Sequence, residues 1–235
     1  MDTDKYKGIV LHTIPYSDTR NIVKIYTPGG TNAYMVMRSK KQRNDALRPM
    51  TLVNFCSSKR ENSNFAFLHD VEYVNSAMGI NYQLPKAAVS MFLNEVLYKL
   101  LADAGEDERL FSFVYKAVDV FYERDFVPDF HLRFLVQTAI KTGVSPVDNY
   151  QKNRVFDEQT AHFCDKADAS DMQQKTAYWL HELMTQELYP VHQEQVVPKA
   201  VRNALLDCIL NYYTFHIADL SGIKSLEILK SVLHD

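Results

Sequence analysis

GIVLHTIPYSDTRNIVKIYTPGGTNAYMVMR, residues Gly8–Arg38, decides the fold. It contains three extended runs and two turns. Gly8–Tyr16 is β-branched and apolar, and Ser17-Asp18-Thr19-Arg20 has turn chemistry. Asn21–Thr27 alternates, with Val23 and Ile25 on one face and Lys24 and Tyr26 on the other. Pro28-Gly29-Gly30 turns the chain into Thr31–Arg38 as a hairpin. There Ala33, Met35 and Met37 share one face, and Tyr34, Val36 and Arg38 the other.

Two more strands follow, Met50–Ser57 and Asn64–Val74, joined by Ser58-Lys59-Arg60-Glu61-Asn62. Five short strands without a long helix predict a small closed barrel, because closure removes exposed edges. From about residue 84 the apolar period becomes helical. Helices are predicted from Pro85 to Asp103, over Leu110–Phe121, over Asp129–Thr142, over Asp171–Met184, over Pro198–Ala218 and over Ser221–Leu233. Residues 144–168 are the least regular, with a short hairpin expected around Arg154–Phe156 and Ala161–Phe163. The expected class is α+β and multidomain. An N-terminal five-stranded β-barrel over 1–78 precedes an all-α helical domain over 79–235.

Composition narrows the function. The 235 residues carry a net charge of −3, with 46% apolar and 23% charged residues, an ordinary globular balance. The charge is unevenly spread: residues 1–75 are net +4 and residues 76–235 net −7. A basic head on an acidic body points to a polyanion partner for the head. No three of the seven glycines are close together, which excludes the P-loop, the dinucleotide fingerprint and the nucleophile elbow. No run reaches the roughly 18 apolar residues of a membrane span, and no secretory h-region opens the chain. Three dispersed cysteines, Cys56, Cys164 and Cys208, fit a reducing cytoplasm.

The strongest chemical signal is the basic run Arg38, Lys40, Lys41, Arg43, Arg48, Lys59 and Arg60. Cations facing phosphates release condensed counterions and give salt-dependent binding. Tyr26 and Tyr34, beside Lys24 and Arg38, are expected on the outer face as stacking platforms for single strands. In a barrel of the OB type, Arg20 in the first loop and Lys59 and Arg60 in the fourth converge on that face. The competing reading is a solvated loop that keeps the barrel edge soluble.

A second signal is Phe130-His131-Leu132-Arg133-Phe134-Leu135, ending at Lys141. An apolar groove with Arg133 would suit an acidic, aromatic-ended peptide. A core helix whose arginine snorkels to water is the simpler reading. Neither catalysis nor a metal is expected. His162 and Cys164 lack a second ligand pair, and His181 and His192 are eleven apart. Glu106-Asp107-Glu108 reads as first-turn charge at a helix start. His216 reads as a hydrogen-bonded helix histidine.

These segments together resemble the RecO family of bacterial DNA repair proteins. The resemblance rests on Gly8–Val23 and on Arg48-Pro49-Met50-Thr51-Leu52. It continues in Phe92–Leu97, Arg109-Leu110-Phe111 and Phe130–Leu135, and ends in Leu210–His216 and Ile223–Leu229. It implies an OB-fold head, a helical body, binding of single- and double-stranded DNA, and strand annealing. Implied partners are RecR, the C-terminal tail of single-stranded DNA-binding protein (SSB) and, indirectly, RecA, at a bacterial, nucleoid-associated cytoplasmic location. The tail site would fall on Phe130, Arg133, Phe134 and Lys141. Many members carry four zinc-binding cysteines where this chain has 144–168. Here only Cys164 remains, so zinc is expected to be absent, with packing in its place and no cofactor. The alternative function is a scaffold that docks an acidic protein partner on the basic loop.

Overall fold

The computed structural model describes residues 5–37, 47–59, 64–75, 83–189 and 193–233. Five strands close a barrel: β1 (Lys5–Ser17), β2 (Arg20–Thr27), β3 (Gly30–Met37), β4 (Leu52–Ser58) and β5 (Ala66–Asn75). Their order around the barrel is β1-β2-β3-β5-β4. The β3–β5 pair is parallel and the other four pairs are antiparallel. This is the five-stranded, OB-fold-like barrel expected from the sequence.

The barrel is filled by Val10, Val23, Ile25, Tyr34, Val53, Phe55 and Leu68. A β-bulge between Val10 and His12 breaks the alternation of β1, and Ile9, Val10 and Leu11 are all fully buried. Gly8 is forced by proximity, since a Cβ there would collide with the Ile25 side chain. Gly30 is forced twice. Its φ is +95°, and a Cβ would sit 2.5 Å from the carbonyl oxygen of Ala104. That carbonyl accepts the Thr31 amide at 2.9 Å, tying the β2–β3 turn to the loop before the second helix.

Two helices complete the first compact unit: α1 (Leu84–Leu101) and α2 (Glu108–Glu123). Pro85 opens α1, and the Asp107 side chain caps α2 by accepting the Leu110 amide at 2.9 Å. Lys86 is only 6% exposed. Its ammonium donates to the carbonyls of Tyr122 (3.2 Å) and Arg124 (2.9 Å), closing the end of α2. The compact units therefore divide after Asp125. The change from strand to helix near 78 marks a change of period, and the first two helices cluster with the barrel.

The second unit, residues 126–235, holds α3 (Phe130–Lys141), α4 (Asp171–Thr185), α5 (Lys199–His216) and α6 (Leu226–Leu233). It also holds a hairpin of β6 (Val155–Asp157) and β7 (His162–Cys164), so the body is not wholly helical. α6 starts five residues later than the periodicity predicts, because Ser221–Ser225 forms turns, with Gly222 at φ +71°. α4 begins with a capping box between Ser170 and Gln173. The Tyr213 hydroxyl donates to the Leu135 carbonyl at 2.7 Å, linking α5 to α3. Among the described residues, no helix is long and apolar enough to cross a membrane.

Candidate nucleic-acid interface

The barrel register decides which sequence-predicted groups reach solvent. Val23 lies opposite Tyr34, and Lys24 opposite Ala33. Directly opposed residues share a face. Tyr34 therefore points inward with Val23, while Lys24 points outward. Tyr34 is 7% exposed and packs edge-on against Phe55 at 5.1 Å. Burial raises its pKa, with a smaller push from Tyr6. Tyr26 points away from the barrel interior, but Phe111 of α2 covers it, with ring centroids 5.4 Å apart. It is fully buried, and desolvation pushes its pKa up to about 12, with Asp107 adding to the rise. Contrary to the sequence expectation, neither tyrosine is a stacking platform. A one-strand view of β3 cannot assign its faces; the partner register does.

Lys24 is also engaged. Its ammonium lies 3.8 Å from Asp103 and 3.5 Å from the Ala102 carbonyl, over the ring of Tyr98. It sits at the negative end of α1. Arg20, by contrast, is exposed at the β1–β2 turn. Its guanidinium sits 5.8 Å above the Phe67 ring and 3.6 Å from the Met35 sulfur. Lys59 is exposed just beyond β4. Arg48 is exposed in the stretch crossing β1, where the Leu47 carbonyl accepts from the Thr13 hydroxyl at 2.7 Å. Arg38, Lys40, Lys41, Arg43 and Arg60 lie outside the described residues.

The aromatic surface missed in the sequence lies at one end of the barrel. Tyr16 is 58% exposed and meets Phe65 edge-on at 6.4 Å. Phe65 and Phe67 are half-buried. Ladder pairs place their neighbours: Arg20 opposite Met37, Met35 opposite Phe67, and Phe67 opposite Ser58. Three strand pairs thus bring Tyr16, Arg20, Met37, Phe65 and Phe67 to one rim, with Lys59 one residue past Ser58. Such rings offer faces to unstacked bases, and the cations offer charge to phosphates. The available signal was positional. Tyr16 abuts the first turn, and Phe65 and Phe67 follow directly on the fourth loop.

The second predicted site does not form. Phe130, Arg133 and Phe134 are each 1% exposed. Arg133 does not snorkel. It forms an ion pair with Asp129 at 3.0 Å and donates to Gln186 Oε1 and the Glu187 carbonyl, each at 3.0 Å, and to the Gln195 carbonyl. Asp129, fully buried, also accepts the Val197 amide at 2.9 Å. The guanidinium is consumed in joining α3 to the segments after α4 and before α5. Of the four predicted residues only Lys141, at the end of α3, is exposed.

The 144–168 segment does not fit a structural zinc ion, which needs four ligands. It offers one thiol, Cys164, and the His162 ring is engaged with the Thr160 carbonyl at 2.5 Å. The hairpin is instead held by Asn149, whose amide group accepts the Phe163 N–H at 2.9 Å and donates to its carbonyl at 3.0 Å. Phe156 and Phe163 pack at 5.0 Å, and Tyr150 meets Phe163 edge-on at 5.4 Å. His216 bonds the Glu158 carbonyl at 2.8 Å and packs beside Tyr212, as a structural helix histidine.

A five-stranded barrel with a basic, aromatic rim, followed by a helical unit, defines an OB-fold-like protein whose rim suits a polyanion. Residues 1–77 match the family described as Recombination protein O N terminal. The whole chain is similar to proteins named DNA repair protein RecO. That of Phocaeicola vulgatus is 28% identical, and that of Bacteroides fragilis 29%. That of Flavobacterium psychrophilum is 24% identical. Each match spans 97% of this chain and 98% of the relative. Residues 1–77 thus match the RecO N-terminal family, and the chain as a whole is similar to RecO DNA repair proteins.

Proposed function

We propose that this protein is a non-catalytic recombination mediator that binds single- and double-stranded DNA at the barrel rim and promotes strand annealing. With RecR and SSB it assists RecA loading. The observation that best supports the reading is the rim itself: an exposed Tyr16 against Phe65, and Arg20 over Phe67. Bases stack on the rings, while Arg20 and Lys59 neutralise phosphates. The basic run Arg38, Lys40, Lys41, Arg43 and Arg60 adds charge from the chain segments that follow β3 and β4. Phosphate contacts position DNA without reading bases, so binding is sequence-tolerant. The buried Arg133 is not the receptor for an SSB tail.

Fluorescence anisotropy of a labelled single-stranded oligonucleotide against salt tests this. Tyr16→Ala weakens binding by about 1–3 kcal/mol, the worth of one stacked base. Replacing Arg38, Lys40, Lys41 and Arg43 by alanine lowers the log–log salt slope by about 0.7 for each phosphate that is no longer neutralised. No binding at low salt, or wild-type binding by both variants, would sink the direct DNA role. The basic rim would then be assigned to an acidic protein partner.

A further inference from the structure

We propose that Cys56, His69 and Asp70 form a binding site for a zinc-class divalent cation on the β4–β5 pair. The site is independent of the DNA reading and carries no catalytic step. Cys56 stands directly opposite His69 in the ladder. Neighbouring residues of a strand normally point to opposite faces, which would separate His69 from Asp70. The register slips between Asn54 and Cys56, and Asp70 takes a φ of +51°. This bulge turns the Asp70 carboxylate back toward the His69 ring, leaving Oδ2 3.0 Å from Nδ1. The thiol sulfur, one ring nitrogen and a carboxylate oxygen then all lie within 4.8 Å of one another.

The donor set selects the ion. Thiolate and imidazole are poor ligands for magnesium and calcium and good ones for zinc or cobalt. Bond lengths of about 2.0–2.3 Å put tetrahedral donors about 3.3–3.6 Å apart. The triad reaches that spacing by closing about 1 Å at its widest, through rotation of the two outer side chains. Cys56 is 5% exposed, whereas the side chains of His69 and Asp70 are 34% and 78% exposed. The sulfur thus forms the floor, and the ion enters over Asp70. Three protein ligands leave a fourth position for water. No sequence spacing announces this site, because its donors come from two paired strands and meet only through the bulge.

The test is a competition titration of the full chain, stripped with chelator, with zinc against a chromophoric chelator. Cobalt then replaces zinc to read out thiolate ligation. Asp70→Asn and His69→Ala change exposed groups, and asparagine tolerates the positive φ, so both variants fold. One zinc binds per chain, the thermal midpoint rises with zinc, and cobalt gives a thiolate charge-transfer band that Cys56→Ser abolishes. Each of Asp70→Asn and His69→Ala weakens zinc binding at least about tenfold, as loss of a ligand does. Absence of saturable 1:1 binding, wild-type affinity in either variant, or a cobalt spectrum without the thiolate band overturns the site.

Discussion

Replacing Arg133 by methionine tests whether that arginine is structural or ligand-binding. The side chain is 1% exposed, and its Asp129 partner is fully buried. The substitution keeps the apolar stem but takes the ion-pair partner from a buried carboxylate, which keeps the Val197 amide at 2.9 Å and the attraction of Arg202. It also removes the donor to the Glu187 and Gln195 carbonyls and to the Gln186 side-chain oxygen. Breaking one partner of a buried pair costs about 3–5 kcal/mol. Against a domain stability of about 5–15 kcal/mol, that is a large share. With a urea slope of about 2 kcal/mol per molar, a loss of about 4 kcal/mol moves the midpoint down by about 2 M. The assay has a built-in reporter, because the only tryptophan, Trp179, lies on α4 of the same unit. Urea titration followed by its fluorescence reads that unit alone. A second variant, Asp129→Leu with Arg133→Leu, removes both charges and is less destabilised than Arg133→Met, since no carboxylate loses its ion-pair partner. An Arg133→Met midpoint within about 0.3 M of wild type would refute the structural assignment. So would a double variant weaker than the single one. Either result would return Arg133 to the candidates for an acidic peptide.

Other consequences concern the first unit. Among the described residues the buried Tyr26 hydroxyl has no hydrogen-bond partner, so Tyr26→Phe is neutral or mildly stabilising at pH 7 and leaves DNA binding intact by anisotropy. Its folded pKa is raised to about 12 from 10.0. The contribution of Tyr26 is therefore fully present below pH 10 and is lost as pH rises through 10 to 12. At about 1.4 kcal/mol per unit, circular dichroism melts of Tyr26→Phe lose about 2–3 kcal/mol less than wild type across that window. Lys86→Met removes the ammonium that donates to the Tyr122 and Arg124 carbonyls and lowers stability by about 1–3 kcal/mol in thermal melts. Gly30→Ala pushes a Cβ to 2.5 Å from the Ala104 oxygen at φ +95°. Its melting temperature falls, with wild-type DNA affinity per folded molecule.

The barrel is legible in the sequence because alternation and turn chemistry are local. Pro28-Gly29-Gly30 and the β-branched runs around it fix the hairpin without reference to anything distant. The helices are legible from their period, whereas Asp107, read as first-turn charge, is the N-cap of α2. The faces are not. Whether Tyr34 points in or out depends on its pairing with Val23, a register that no single strand contains. The fate of Tyr26 is set by Phe111, on a helix far along the chain.

Arg133 escapes sequence reading for a related reason. A cation among apolar residues looks like a snorkelling or ligand-binding group, and only the convergence of Asp129, Gln186, Glu187 and Gln195 shows otherwise. Its acceptors come from segments without periodicity, where sequence reading has least to offer. The same logic explains the rim. Tyr16, Phe65 and Phe67 are inconspicuous in sequence because their shared surface is assembled from separate strand ends. The parallel β3–β5 pair brings Phe67 beside Met35, and the β2–β3 ladder brings Arg20 beside Met37. The local pattern thus specifies that a barrel forms, while strand order selects which few side chains share its open end. A surface built by strand order tolerates change in any one strand, provided that the register holds. Register-breaking substitutions therefore act on the whole rim, whereas Tyr16→Ala removes a single platform.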